Sequence, residues 1–151
     1  MSSRITPATM TVTITEAITL NGSAMGATNA LSLPSIGEII TRIMSVPTAS
    51  EIKIVSMAAA AAAGALDRAK LKYLRITNLD ASETVRIRIA DTDANEMADF
   101  KLLAGHSFLL GEAVINAQVG TGAFSAWQDI EDISAQGTSA DIDIEIYAAM
   151  T

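Results

Sequence analysis

The sequence predicts an all-β chain, a single antiparallel β-sandwich or jelly roll of about eight or nine short strands with little helix. Short segments alternate apolar and polar residues with a period of two, and Gly-, Asn- and Pro-containing turn signals separate them. No long helical pattern, internal repeat or linker interrupts this layout. The 151 residues therefore predict one domain spanning residues 1–151.

The composition predicts association with other subunits. Half of the residues are apolar, only six are aromatic, and 18% are charged, against about 25% in typical soluble domains. A small domain with few charges leaves apolar surface that it cannot cover alone. We therefore expect a homo-oligomer or a larger assembly.

The net charge of −7, with ten scattered Lys and Arg residues, argues against direct binding to nucleic acid or to an anionic membrane surface. The absence of cysteine excludes disulfides, thiolate metal sites and cysteine nucleophiles. The start, Met-Ser-Ser-Arg-Ile-Thr-Pro, lacks the apolar core of a signal peptide. The longest apolar run, Met57–Leu66, is shorter than the roughly 20 residues that span a bilayer.

The first predicted strand is Met10–Leu20, in which threonines alternate with apolar residues. Glu16 interrupts the apolar face and marks a bulge or a strand edge. Asn21-Gly22-Ser23 is a turn signal. Ala24–Ser35 reads as an irregular connection that contains one brief strand, Ala30–Leu33.

Ile36–Val46 fits two alternatives. Its isoleucines have helical spacing, and Ser35 with Glu38 would form a capping box. Gly37 and the Ile/Thr content favour a strand, and a turn beginning at Pro47 would join that strand to a second one at Glu51–Met57. We favour the strand, in a hairpin.

Six consecutive alanines, Ala58–Ala63, precede Gly64. They would form a helical turn or two ended by the glycine, or a loop of small residues that packs against a neighbour. This segment is the best candidate for a contact between subunits. The predicted interface comprises Met57, Ala60, Ala62, Leu66, Phe124 and Trp127.

Leu71–Ile89 reads as a β-hairpin at the centre of the fold, with an Asn-Leu-Asp-Ala-Ser turn. Its first strand is apolar on both faces, which is typical of a central strand.

Phe100–Leu110 forms two short strands hinged at Ala104-Gly105, and His106 follows in the turn. Gly111–Ala123 is a surface connection, and Phe124–Ser134 is a segment with Ile130 and Ile133 turned inward. The last strand, Ala140–Ala148, turns Ile142, Ile144 and Ile146 inward.

The outward residues of the last strand are acidic, whereas those of the predicted hairpin are arginines. Opposite charges on neighbouring strands contribute about 0.2–1 kcal/mol per pair. We therefore predict that the C-terminal strand lies in the sheet of the hairpin, the alternative being two separate solvated rows. The residues concerned are Asp141, Asp143 and Glu145 on one side, and Arg75, Arg86 and Arg88 on the other.

No motif predicts catalysis or a cofactor. Asp91, Asp93 and Asn95 imitate the start of an EF-hand, but Glu96 and Leu102 occupy the positions of its glycine and its bidentate glutamate. The loop Asp91–Asp99 is therefore expected to be a hydrated acidic loop without metal. His106 has no nucleophile elbow near it, and acid pairs such as Asp129/Glu131 arise freely in an acidic chain. The prediction is a non-enzymatic protein.

Four segments together resemble small all-β virion proteins of tailed bacteriophages: Lys70-Leu-Lys-Tyr-Leu-Arg-Ile-Thr-Asn-Leu-Asp80, Val85-Arg-Ile-Arg-Ile89, Leu103-Ala-Gly-His-Ser-Phe-Leu109 and the alternating strand 140–147. The resemblance covers roughly residues 46–148. It implies a virion protein assembled in the host cytoplasm. It also implies a capsid decoration or cement subunit that binds the major capsid protein, or alternatively a tail, baseplate or fibre subunit. A carbohydrate-binding β-sandwich is the alternative of another class.

Overall fold

The structure is a computed structural model that describes residues 4–91, 97–111 and 130–151. Within these ranges the chain forms thirteen β-strands and no helix, so the all-β prediction is confirmed. The strands outnumber the prediction partly because β2, β3 and β7 hold two residues each. The strands are β1 Ala8–Thr15, β2 Thr19–Leu20, β3 Ser23–Ala24, β4 Thr28–Ile36, β5 Glu38–Val46, β6 Ile52–Ala58, β7 Leu66–Asp67, β8 Leu71–Asn78, β9 Val85–Asp91, β10 Met97–Leu102, β11 Ser107–Gly111, β12 Ile130–Gly137 and β13 Ile142–Met150.

Two sheets face each other as a sandwich. One has the order β10–β9–β12–β6–β7 and the other the order β11–β8–β13–β5. β8 is central, as its two apolar faces predict, and the inward isoleucines of β13 are confirmed as buried. The core between the sheets consists mainly of aliphatic residues, among them Leu74, Ile76, Val85, Ile87, Ile133, Ile142 and Ile144.

A two-stranded ribbon of β1 and β4 forms a third layer on the outer face of the four-stranded sheet. Leu33 and Ile36 of the ribbon are buried against Tyr73 and Ala149 of the sheet. The predicted N-terminal strand ends at Thr15 instead of Leu20. The connection predicted to be irregular contains a nine-residue strand, β4, because a two-stranded ribbon accepts Pro34 in a bulge at its edge.

Leu71–Ile89 is not a hairpin, and this prediction is wrong. β8 pairs with β11 and β13, whereas β9 pairs with β10 and β12 in the opposite sheet. Residues 79–84 therefore form an arch from one sheet to the other. A hairpin and an arch show the same alternation of apolar residues. The alternation determines which side chains face the core, but not which strand lies alongside.

Three other connections are arches at the same end of the sandwich: β5 to β6, β10 to β11, and β12 to β13. The predicted Pro47 hairpin is therefore wrong, although β5 confirms the strand alternative for 36–46 by pairing along its whole length with β13. The arches bond to one another, since Gly137 N donates to the carbonyl of Pro47 and Thr138 N to that of Thr84.

Two remaining segments differ in detail from the prediction. The alanine run is a loop in which Ala62 bridges Ala65 around Gly64, whose φ is +78°, so the loop alternative is confirmed. Both ends of the predicted acidic loop are in strands, because β9 continues through Asp91 and β10 begins at Met97; residues 92–96 lie outside the described residues.

Candidate interaction surfaces

The first candidate surface is a projecting β-hairpin formed by residues 13–30, which we name the arm. Every residue of the arm is exposed. Beyond the last β1–β4 pair, Glu16 N donates to the carbonyl of Ala27 and Met25 N to that of Ile18. The turn residues Asn21 and Gly22 have φ values of 50° and 80°, as a tight two-residue hairpin requires.

The arm carries four large exposed apolar side chains and almost no charge. Glu16 is the one charged residue between Ile5 and Gly37. Exposed apolar groups concentrated on a projecting element are typical of an interaction site. The exposed fractions are 45% for Ile14, 54% for Ile18, 54% for Leu20 and 64% for Met25.

The ribbon crosses the four-stranded sheet from β5 to β11. At one end, Ile36 of β4 and Ile39 of β5 line the same hollow. At the other end Leu31 covers Gly111 of β11, where an added Cβ would lie 2.8 Å from Leu31 Cδ2. The four-stranded sheet is three strand spacings wide from β5 to β11, or about 14 Å. The five residue steps of β4 from Ile36 to Leu31 span about 16 Å, which is enough to cross it. The arm adjoins Leu31 through Ala30 and therefore continues past the β11 edge.

The second candidate surface lies on the opposite side of the sandwich, between β5 and the segment formed by the Ala62 loop and Leu66 of β7. We name it the edge groove. Its volume is about 290 Å³, and the core residues Ile54, Ile146 and Ala148 form part of its lining. An adjoining hollow of about 390 Å³ extends it past Lys70. In the part of the chain that the structure describes, the two sheets are therefore not sealed against each other along this side.

The predicted interface residues have different fates. Leu66 is half-buried and Ala62 is exposed, and both line the edge groove. Ala60 is exposed on the same loop. Met57 is 3% exposed and packs in the core, so its side chain does not contribute to the surface. Phe124 and Trp127 lie outside the described residues.

The predicted charge ladder is correct for one arginine and wrong for two. Arg75 of β8 forms an ion pair with Glu145 of β13 and lies 5.7 Å from the centre of the Tyr147 ring. Arg86 and Arg88 are on the other sheet, where their partners are Glu51 and Asp99.

Arg88 clearly lowers the pKa of its partner Asp99. Arg88 Nε lies 2.7 Å from Asp99 Oδ1, and this hydrogen bond holds the pKa of Asp99 below its usual value. The outer face of the five-stranded sheet thus carries several paired charges, unlike the arm.

The polar motifs form no reactive cluster in the part of the chain that the structure describes. Asp91 ends β9, while Asp93, Asn95 and Asp129 lie outside the described residues. Nδ1 of the exposed His106 is 2.8 Å from the carbonyl oxygen of Ala104 in its own turn. Among the described residues, no three His, Cys, Asp or Glu side chains are grouped to hold a metal ion. The same residues contain no helix that is long and apolar enough to cross a membrane.

No protein-family model matches the chain, and no curated protein or solved structure is significantly similar to it. Function is therefore inferred from the molecule's own surfaces. Sequence reasoning missed the arm as a functional element. Its signal was present, because the stretch from Ile5 to Gly37 combines strand-forming residues with a single charge.

Proposed function

We propose that this protein is a non-enzymatic structural subunit of a tailed-bacteriophage virion, and that it decorates the capsid by binding the major capsid protein. The observation that carries the proposal is the concentration of exposed apolar side chains on a projecting arm. The resemblance of four sequence segments to small all-β virion proteins supplies the biological setting.

The distribution of chemistry over the surface supports a role in assembly. Buried Ile, Leu and Met side chains contribute about 1.5–3 kcal/mol each relative to exposed ones. The four arm residues, Ile14, Ile18, Leu20 and Met25, therefore represent a free energy that only association can release. The arginines of the central strands bind neighbouring acids within the fold.

The net charge of −7 supports a position away from packaged DNA, because a polyanion repels an acidic protein. It favours the outside of the particle over a role in contact with the genome. This charge does not separate the capsid from the tail.

The test is the copy number in purified particles, measured by quantitative mass spectrometry against the major capsid protein. We expect a number that matches the capsid lattice, and particles without this protein that rupture at lower temperature until it is added back. A few copies per particle would overturn capsid decoration and support a tail or fibre subunit. Glycan binding abolished by Trp127→Ala would instead support a carbohydrate-binding module.

A further inference from the structure

We propose that the arm of one copy docks in the edge groove of a second copy, head to tail, so that several copies close into a ring. This inference goes beyond the virion role and does not depend on it. The isolated protein is sufficient to test it. The partner is a second copy of this chain, and three observations support that choice.

The first observation is position. The ribbon carries the arm past β11, whereas β5 and β7 are the edge strands of the two sheets on the other side. The arm and the edge groove are thus at opposite ends of the subunit. Two different surfaces at opposite ends form a heterologous contact, which repeats from copy to copy and produces a ring when the rotation closes.

The second observation is the free backbone of β5. Within the described residues, this nine-residue strand ends its sheet and pairs with β13 on one side only. A long edge strand with exposed apolar residues is a template for another strand. Ile39 and Ile43 on β5 are 53% and 63% exposed, so the arm of a neighbour finds hydrogen-bonding groups and apolar contacts together.

The third observation is charge. Glu16 is the single charge on the arm, and Arg42 lines the edge groove. Neither forms an ion pair within the described ranges. Glu38 lies on the same strand about 13 Å from Arg42. This spacing sets the register of docking, because Glu16 must lie at the Arg42 end of the groove and away from Glu38.

The first experiment measures molar mass by light scattering after size exclusion. We expect the wild type to be a discrete oligomer, and Leu20→Asp/Met25→Asp to be a monomer with the same circular dichroism. Leu79→Asp is the matched control, since Leu79 is 46% exposed but lies on neither surface, and it should remain oligomeric. A monomeric wild type at micromolar concentration, or an oligomeric arm variant, would overturn the proposal.

The second experiment reverses the charges. Glu16→Arg and Arg42→Glu should each weaken association roughly tenfold, and the double variant should recover most of the loss. Glu38→Gln, on the same strand, should not weaken association. A double variant as weak as the two single effects combined would refute the pairing of Glu16 with Arg42, and with it the stated register.

The third experiment tests the head-to-tail geometry. The arm variant keeps an intact groove, and a groove variant that combines Arg42→Glu with Ala62→Asp keeps an intact arm. Each alone should be monomeric, with the wild-type circular dichroism. Mixed, they should form a dimer of one copy each and nothing larger, because a single complete contact remains. Failure of the mixture to associate would overturn the docking of arm into groove.

Discussion

Replacing Asn78 by Ala should destabilise the protein more than any surface substitution, because this side chain ties two arches together. Asn78 ends β8 and is completely buried. Its Nδ2 donates to the carbonyl of Glu83 at 2.8 Å and to that of Leu103 at 3.2 Å. Its Oδ1 accepts a hydrogen bond from Asp80 N at 3.0 Å. The first and third bonds hold the arch 79–84, and the second holds the arch from β10 to β11.

The expected loss follows from these three bonds. A typical intramolecular hydrogen bond contributes about 0.5–1.5 kcal/mol, so three give about 1.5–4.5 kcal/mol. Partners left buried without a bond add to the loss. We therefore expect Asn78→Ala to lower the free energy of unfolding by about 3–5 kcal/mol, which is a large part of the roughly 5–15 kcal/mol of a typical domain.

Urea denaturation followed by circular dichroism measures this change. Asn29→Ala is the matched control, because Asn29 is exposed on the arm and its truncation should cost under about 0.5 kcal/mol. A loss below about 1 kcal/mol for Asn78→Ala would refute the reasoning. It would mean that water replaces the side chain and that the arches hold without it.

Three further predictions concern an arch, an acid and the core. Gly137→Ala should lower the free energy of unfolding by about 1–3 kcal/mol, because an added Cβ would lie 2.2 Å from the carbonyl oxygen of Ala140. Gly37→Ala is the control and should be nearly neutral, because an added Cβ there has nothing within 4 Å. Asp80→Asn should make the midpoint in urea less sensitive to acid, because two backbone N–H groups lower the pKa of Asp80 from its usual 3.8. The stability from that acid is present above its unfolded pKa and is lost as pH falls through the folded value. Ile144→Ala should cost about 2–5 kcal/mol, whereas Glu145→Gln on the outward side should cost under about 1 kcal/mol.

Each of these has a contradicting result. Equal costs for the two glycines would mean that the arch shifts freely to admit a methyl group. If the urea midpoint of Asp80→Asn depends on pH as the wild type's does between about pH 2 and pH 5, the ordinary range of carboxyl titration, the Asp80 carboxylate does not stabilise the arch. Equal costs at 144 and 145 would mean that the inward and outward faces of β13 are assigned wrongly.

The alternation of residues predicted burial better than pairing. Ile142, Ile144 and Ile146 were expected to face inward, and they are buried. Arg75 and Arg86 were expected to share a sheet, yet they lie on opposite sheets. A two-layer sandwich offers two positions for the same alternating strand, and the choice depends on long-range contacts such as those of Asn78.

The two candidate surfaces show the same division. The turn at Asn21-Gly22 and the scarcity of charge were visible in the residues, but the returning strand of the arm was predicted as an irregular connection. The full exposure of the arm was not visible there, because the inward face of the ribbon is buried or half-buried from Ile36 to Leu31, and every residue of the arm beyond is exposed. That boundary depends on how many strands the sheet beneath it has.

The all-β class, the inward face of most strands and the scarcity of charge on the N-terminal stretch follow from the residues alone. These are local properties of side-chain order and composition. The crossing of successive strands between sheets, the exit of the arm past β11 and the opening of the groove at β5 follow from the packed fold. Those features depend on which strands end each sheet, and no local pattern encodes the edge of a sheet.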